Sequence, residues 1–241
     1  MKRTILVGAT AALAAGAISA GAASKPKDAT ARCVVSGAET MVANADVRVY
    51  TVERGYKNDV FRTAIYACSY RTGKRVALGT AAVAGGDADE DAPVRYIRSI
   101  RVTDDFNDGN GAGVAFVDTD CTKGSSCKFS VVVKSLKTGK TIRRLPAGGG
   151  FDRIALSQPT DQDGFALAWL ETANVGGGCE GGCRVHLVKN SGDKILDEGA
   201  DIDPDSFGEL LNDGPGIVRF SGSNEFVWKR GAVIKSASFN D

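Results

Sequence analysis

Apolar and polar residues alternate along this chain in short runs, and clusters of turn-forming residues separate the runs. In residues 128–134, the side chains of Phe129, Val131 and Val133 fall on one side of an extended chain. This period of two is typical of a β-strand that buries one face. Thirty glycines and only two methionines fit many turns better than packed helices. The pattern therefore predicts an all-β fold.

One six-residue pattern occurs twice. Residues 114–119 read VAFVDT and residues 167–172 read LAWLET, so the same order of apolar, small, aromatic, apolar, acidic and threonine positions recurs after 53 residues. Similar strands and turns surround both copies, and a glycine marks the last turn of each unit, at positions 73, 139, 192 and 231. We therefore predict a single domain at residues 32–241 with four units of four antiparallel strands, at residues 32–79, 96–145, 151–198 and 205–239.

The units read strand, Asp-Gly turn, Ala-aromatic strand, strand, Thr-Gly-Lys turn and strand, most clearly over residues 96–198. In this order, residues 32–239 resemble the blades of bacterial Tol-type and WD-type β-propellers, although the Trp-Asp pair of WD repeats is missing. The resemblance implies a β-propeller-like domain of about four four-stranded antiparallel blades, whose apolar faces are buried by stacking around a ring. It implies a scaffold for binding and carries over no catalytic residue. An incomplete propeller and a two-sheet sandwich remain as alternatives.

Residues 1–23 are typical of a secretory signal peptide. Lys2 and Arg3 precede an uncharged stretch at residues 4–20, and Ala20 and Ala22 form a small-residue cleavage motif. A membrane anchor is the alternative, but the stretch is short and rich in Gly and Ala, whereas ~20 apolar residues are needed to span a bilayer. We expect a protein secreted to the extracellular space or the cell envelope, with a linker at residues 24–31 and no membrane insertion after cleavage.

The charge balance argues against nucleic acid as a partner. Cleavage removes Lys2 and Arg3 from the thirty basic residues, which leaves 28 basic against 29 acidic residues. A surface that binds nucleic acid requires a clear excess of basic residues. We therefore expect a nearly neutral exported chain with a different class of partner.

Six cysteines in an exported chain predict disulfides that staple the domain. Fifteen pairings are open to six cysteines, and the spacing favours a local scheme of Cys33 with Cys68, Cys121 with Cys127, and Cys179 with Cys183. Loop-closure entropy assigns about 4 kcal/mol to the long bridge and about 2 kcal/mol to each short one. Zinc binding at residues 179–183 is an alternative, although the spacing differs from that of common zinc fingers.

In a propeller, the loops between second and third strands and the links between units share one rim. These segments vary in length here and are rich in carboxylates. Such carboxylates bind Ca²⁺, attract a basic partner, or keep exposed loops solvated. Variable loops on a rigid scaffold are a frequent place for ligand binding. We therefore predict an acidic rim that binds a protein, a polymer or a cation, formed by Asp87, Asp89, Glu90, Asp91, Asp118, Asp120, Asp201 and Asp203.

One turn has the composition of a calcium loop, with oxygen ligands offered by Asp104, Asp105, Asn107 and Asp108. An EF-hand loop requires Glu at its twelfth position, and this chain has Ala115 or Phe116 there. An Asp/Asn/Gly turn between two strands explains the same residues without a metal. The loop is therefore a weak Ca²⁺ candidate, and the sequence predicts no other cofactor.

Catalytic motifs are scarce. His186 is the only histidine and falls inside a predicted strand, where a buried structural role is the simpler interpretation. The chain contains no Gly-x-Ser-x-Gly nucleophile elbow. Paired carboxylates on a propeller scaffold are the chemistry of some carbohydrate-active enzymes, which is the alternative hypothesis. The sequence favours an exported, non-enzymatic binding module that uses its acidic rim.

Overall fold

The computed structural model describes residues 29–57, 60–84, 95–103, 111–121, 127–147, 150–157, 164–172, 178–189, 191–209 and 225–239. Within these ranges, fifteen strands and one 3₁₀ turn at Thr30–Cys33 make up the regular structure. The predicted all-β fold is therefore confirmed. Among the described residues, no helix is both long and apolar enough to cross a membrane.

The first eight strands run from Glu39 to Ala147 and are β1 Glu39–Ala43, β2 Val47–Lys57, β3 Val60–Ser69, β4 Arg75–Ala84, β5 Arg95–Val102, β6 Gly113–Asp120, β7 Lys128–Ser135 and β8 Thr141–Ala147. The other seven are β9 Gly150–Leu156, β10 Leu167–Thr172, β11 Cys183–Lys189, β12 Gly192–Gly199, β13 Ile202–Glu209, β14 Glu225–Arg230 and β15 Val233–Ser238.

The strands form three antiparallel sheets. Strands β1 to β8 make one eight-stranded sheet in chain order, β9 to β12 make a second sheet, and β13 to β15 make a third. Within the first sheet, β4 and β5 share only the pair Ala82 and Arg95. We therefore describe four layers, namely β1–β4, β5–β8, β9–β12 and β13–β15. The first two predicted units form one open eight-stranded sheet rather than two separate blades, and the described sheets do not close into a ring.

Separate apolar cores lie between successive layers. Val49, Ile65 and Phe116 belong to the core between the first and second layers. Val117 points the opposite way and joins the core that the second and third layers share. A third core lies between the third and fourth layers and contains Phe226. Strand β6 is buried on both faces, which is why its sequence lacks the alternation that β7 shows.

Two hairpin turns have the same hydrogen bonds because they share the pattern Ser-x-x-Thr-Gly-Lys. In the β3–β4 turn, the amide of Gly73 donates to the carbonyl of Ser69 at 2.8 Å, and in the β7–β8 turn Gly139 donates to Ser135 at 2.8 Å. Both glycines have positive φ, 65° and 79°. A residue with a Cβ is strained in this conformation, so glycine is required at the end of both turns.

The fourth layer departs from the predicted register. Strand β13 pairs directly with β14, and the amide of Gly231 donates to the carbonyl of Asp201 at 2.8 Å. The Gly231 turn therefore lies at the end of the molecule where β12 finishes, whereas Gly192 lies at the other end, where β12 begins. Gly231 therefore does not occupy the turn of its layer that Gly73, Gly139 and Gly192 occupy in theirs, and the predicted equivalence of the four glycines is wrong. The physical reason is the antiparallel pairing of β13 with β14, which sets the direction of the last hairpin.

The structure contains three disulfides, which are the pairs that the spacing favours. They join Cys33 to Cys68, Cys121 to Cys127, and Cys179 to Cys183. With its sulfurs in disulfides, the 179–183 segment cannot hold zinc through thiolates. Three disulfides also fit a protein that matures in an oxidising compartment.

Substitution of Gly113 by alanine tests the close packing between the second and third layers. A Cβ at this position would lie within 3.0 Å of three ring atoms of Phe165, and the φ of Gly113 is outside the left-handed region. Because Phe165 is buried, the ring has little space to retreat. We expect Gly113→Ala to lower the free energy of unfolding by about 1–3 kcal/mol, measured by urea denaturation. Gly178→Ala is the control, since a Cβ there has no neighbour within 4 Å. Equal stabilities of the two variants would contradict the prediction.

Candidate functional site

A pocket of about 300 Å³ opens where β4 ends and β5 begins. We call it the rim pocket, because Asp118 and Asp120 of the predicted acidic rim lie at this end of the layers, beside the start of β5. Strands β1 to β4 form its floor, and Ile97 of β5 covers one side. The side chains that line it include two carboxylates, two hydroxyls and three apolar groups, namely Glu39, Glu53, Thr51, Thr63, Met41, Phe61 and Ile97.

The register of the first layer brings the two carboxylates onto one face. Glu39 pairs with Thr51 across β1 and β2, and Glu53 follows Thr51 by two residues on the same strand. Residues two apart on a strand share a face, so Glu39 and Glu53 are diagonal neighbours. The Cα atoms of such neighbours are typically about 7–8 Å apart. Both side chains are exposed to solvent. The two carboxylates can therefore contact one small ligand together.

Glycine shapes the boundary of the rim pocket. Ile65 pairs with Gly79 across β3 and β4. A Cβ on Gly79 would lie 3.0 Å from the Cδ1 of Ile97, so the missing side chain admits Ile97 against the first layer. This contact closes the deep side of the pocket and leaves the carboxylate side open. Strand residues supply most of the lining, and Gly37 of the turn before β1 supplies the rest.

Asp118 stands beside the rim pocket but is held by two arginines. It pairs with Ile97 across β5 and β6, and its side chain is only 5% exposed. The guanidinium of Arg95 donates to both carboxylate oxygens, at 3.1 and 2.8 Å, and Arg144 donates to Oδ2 at 3.0 Å. The hydrogen bond to Asp118 raises the pKa of Arg95. The carboxylate of Asp118 thus joins β5, β6 and β8, and little of its charge is left for a ligand.

Lys134 lies close to Asp118 and its two arginines. Burial, followed by the charge of Arg144, lowers the pKa of Lys134 below its usual value. The ammonium of Lys134 donates to the carbonyl of Ala77 at 2.7 Å, which ties the second layer to the first. The groups around Asp118 are therefore structural links between strands and layers.

The other described residues of the predicted acidic rim lie outside the rim pocket. Asp120 is placed between Arg95 and Lys128 by the register of its strand. Asp201 accepts from the guanidinium of Arg230 at 3.0 and 3.1 Å, and Asp203 accepts from the amide of Asp205 at 3.1 Å. Four carboxylates of the predicted acidic rim and all four residues of the weak Ca²⁺ candidate lie outside the described residues; these are Asp87, Asp89, Glu90 and Asp91, and Asp104, Asp105, Asn107 and Asp108.

The described residues do not form a metal centre. Among them, no group of three or more His, Cys, Asp or Glu side chains is close enough to hold an ion. His186 illustrates this, because its two ring nitrogens face Glu171 at 3.0 Å and Asp193 at 3.2 Å. The imidazole also stacks on Trp169, with ring centroids 4.5 Å apart, and is buried. This histidine fills an interlayer position away from the rim pocket.

Sequence reasoning missed Glu39 and Glu53, which are the two carboxylates that share a pocket. The hairpin around Asn44 and Asp46 sets strands β1 and β2 side by side, but it does not by itself fix the face on which Glu39 lies. Comparison with known proteins finds no family model, no curated protein and no solved structure that matches the chain. The geometry of the chain itself therefore carries the functional argument.

Proposed function

We propose that this protein is an exported binding module that holds the cationic side chain of a basic protein or polymer in its rim pocket. The observation that carries the proposal is the convergence of Glu39 and Glu53 with Thr51 and Thr63 in one pocket. An ammonium group donates three hydrogen bonds, and carboxylates and hydroxyls accept them. Charge-assisted hydrogen bonds of this kind are stronger than neutral ones.

The apolar side chains of the rim pocket support the same ligand class. Met41 is 44% exposed, and Phe61 is a second apolar residue of the lining. Lysine and arginine carry an aliphatic stem behind their charged end, and such stems pack well on apolar surface. A ligand with a positive tip and an apolar stem therefore fits both kinds of lining residue. A bare metal ion uses only the carboxylates.

The scaffold in this proposal is propeller-like. Three stacked groups of four antiparallel strands, the matching turns at Gly73 and Gly139, and apolar cores between layers support it. The disulfides and the signal-like residues 1–23 support export. In such a stack, a pocket between the first two layers should largely keep its shape when the ligand binds, because strands form most of its walls.

The test measures binding of a fluorescent hexalysine peptide by anisotropy. We expect saturable binding to the wild type that weakens as salt is added, because the contact is ionic and exposed. Glu39→Gln combined with Glu53→Gln should weaken binding at least about tenfold, which corresponds to one charge-assisted hydrogen bond. Glu180→Gln is the control, since Glu180 is exposed and lies far along the chain, outside the pocket. Equal affinities of the double variant and the wild type would contradict the proposal.

A carbohydrate-active enzyme is the second candidate, and the paired carboxylates are the observation in its favour. Inverting glycosidases hold their two carboxyl groups about 6.5–9.5 Å apart, and the diagonal placement of Glu39 and Glu53 is compatible with that range. A glycosidase acid is usually protonated through burial, whereas both glutamates here are exposed. Release of reducing sugar from a polysaccharide panel, abolished by either Glu→Gln change, would favour this candidate over the binding module. An absence of turnover would remove it.

A further inference from the structure

An aromatic pair stands at the outer end of the rim pocket. Phe61 of β3 lines the pocket, and Tyr56 of β2 lies directly opposite Phe61 in the sheet. The centroids of the two rings are 5.2 Å apart, and their planes meet at 57°. Tyr56 is 72% exposed, so its ring is open to solvent. The pair therefore presents an aromatic surface beside the carboxylates of the pocket.

A β-bulge in β2 brings this pair onto the face that carries the carboxylates. Glu53 and Tyr56 are three residues apart, so a regular strand would point them to opposite faces. The register shifts between Glu53 and Gly55, so that Glu53 lies opposite Thr63 and Tyr56 lies opposite Phe61. Because Thr63 and Phe61 are two residues apart on β3, they share a face. Glu53 and Tyr56 therefore share that face as well.

Gly55 makes this bulge possible. Its φ is +74°, in the left-handed region, and a Cβ there would have no neighbour within 4 Å. The backbone conformation therefore requires glycine here, and lack of space does not. Arg54 precedes Gly55, and its guanidinium donates to the hydroxyl of Tyr66 at 2.6 Å on the opposite face of the layer. The bulge thus adds an aromatic ring to the pocket face, while the adjacent cation lies on the other face.

Carboxylates beside an aromatic surface favour one kind of cation. Rows of side chains two residues apart on a strand are about 7 Å apart, so one long side chain can contact both Glu53 and the aromatic pair. A guanidinium is planar, donates to a carboxylate through a fork of N–H groups, and stacks on aromatic rings. The ammonium of lysine is a compact and strongly hydrated charge. Arginine therefore uses both parts of the pocket, whereas lysine uses mainly the carboxylates.

We propose that the rim pocket selects arginine over lysine, and that its partner is a polypeptide with an exposed arginine side chain. This inference rests on the proposed function and names the side chain that the pocket takes. The guanidinium donates to Glu39 and Glu53, its flat face stacks on Tyr56, and its aliphatic stem packs on Met41. Tyr56 is then the residue that determines specificity, although it carries no charge.

The experiment compares fluorescent hexaarginine, hexalysine and hexa-trimethyllysine peptides by anisotropy with the full chain. We expect the wild type to bind hexaarginine at least about fivefold more tightly than hexalysine. Tyr56→Leu should reduce this ratio to less than about twofold, mainly by weakening the binding of hexaarginine. Tyr56→Phe is the matched control, because it keeps the ring and removes only the hydroxyl, and it should keep the ratio. Both substitutions are at an exposed position, so the fold should tolerate them.

Three results would overturn the arginine selectivity and leave the proposed cation binding intact. The first is equal affinity of the wild type for hexaarginine and hexalysine, with both weakened by Glu39→Gln combined with Glu53→Gln. The second is an unchanged ratio in Tyr56→Leu, which would separate the preference from the aromatic pair. The third is tighter binding of the trimethyllysine peptide than of hexaarginine, which would assign the pocket to a quaternary ammonium group. An absence of binding by all three peptides would overturn the proposed function together with this inference.

Discussion

Replacement of Cys33 and Cys68 together by alanine should lower the free energy of unfolding by about 4 kcal/mol. The bridge spans 35 residues, and loop-closure entropy in the unfolded chain gives about this value for a loop of that length. Both sulfurs are fully buried beside Tyr50, so alanine also leaves unfilled space. The bridge ties the segment before β1 to the end of β3, which makes it the long-range staple of the first layer. Urea denaturation of the double variant and the wild type, without reductant, measures the difference.

The short disulfides supply the controls for this prediction. The Cys121–Cys127 and Cys179–Cys183 bridges close loops of 6 and 4 residues, and the same entropy term gives about 2 kcal/mol for each. Double alanine variants of either pair should therefore lose about half as much stability as the variant at Cys33 and Cys68. A smaller loss from the long bridge than from a short one would refute the entropic explanation and point to native-state packing as the main effect.

The strands and turns of this protein follow from local physics, and the sequence therefore predicts them. Alternation in residues 128–134 produces β7, and the Thr-Gly-Lys patterns produce turns that need positive φ at Gly73 and Gly139. The two short disulfides are also accessible, because short loops close most readily, and Cys33 and Cys68 are the cysteines that then remain. The strands, the turns and the short bridges depend on residues within a few positions of one another.

The candidate site could not be predicted in the same way, because a β-bulge decides it. Next to the turn between β1 and β2, Ala43 pairs with Arg48 and Val42 pairs with Val49. If this register continued along the strands, Glu39 would lie opposite Val52. The pairing shifts between Thr40 and Val42, so that Glu39 lies opposite Thr51 instead. A shift of one residue moves a side chain to the other face of a sheet. The bulge thus places Glu39 on the face of Glu53, and no local pattern in the sequence announces it.

Contacts between layers are equally hidden from the sequence. The predicted boundary between the first two units becomes a continuous sheet because β4 and β5 meet at Ala82 and Arg95. The acidic rim is predicted from the variable lengths of its loops and their carboxylates, yet Asp118 is neutralised by two arginines that are distant in sequence. The sequence shows how many carboxylates the loops and links contain. Only the packed layers decide which of them face solvent and which join strands.

Asp197 is the most extensively bonded carboxylate among the described residues. It lies on β12 with a side chain only 4% exposed, and it accepts from Arg230 at 2.6 Å, Lys235 at 2.8 Å and the indole of Trp228 at 2.7 Å. These donors belong to β14 and β15, so one carboxylate joins the third layer to the fourth. Burial raises the pKa of Asp197, but the hydrogen bonds from Lys235 and Trp228 and the two positive charges outweigh it. The pKa is therefore lowered to about 2.

Substitution of Asp197 by asparagine should lower the free energy of unfolding at pH 7 by about 3 kcal/mol, because it leaves Lys235 and Arg230 without their buried anion. Asp201→Asn is the control, since Asp201 is 55% exposed and an exposed pair contributes at most about 1 kcal/mol.

The effect of this substitution should also depend on pH, with a sign that follows from the lowered pKa. An unfolded aspartate titrates near 3.8 and the folded one near 2, so the unfolded state binds the proton first as the pH falls. The ionic contribution of Asp197 is therefore fully present above about pH 4 and is lost between about pH 4 and pH 2. The difference in the free energy of unfolding between the wild type and Asp197→Asn, measured by urea denaturation, should therefore become smaller as the pH falls from about 4 to about 2. A difference that stays constant down to pH 2 would show that the carboxylate acts through its shape and hydrogen bonds, and not through its charge.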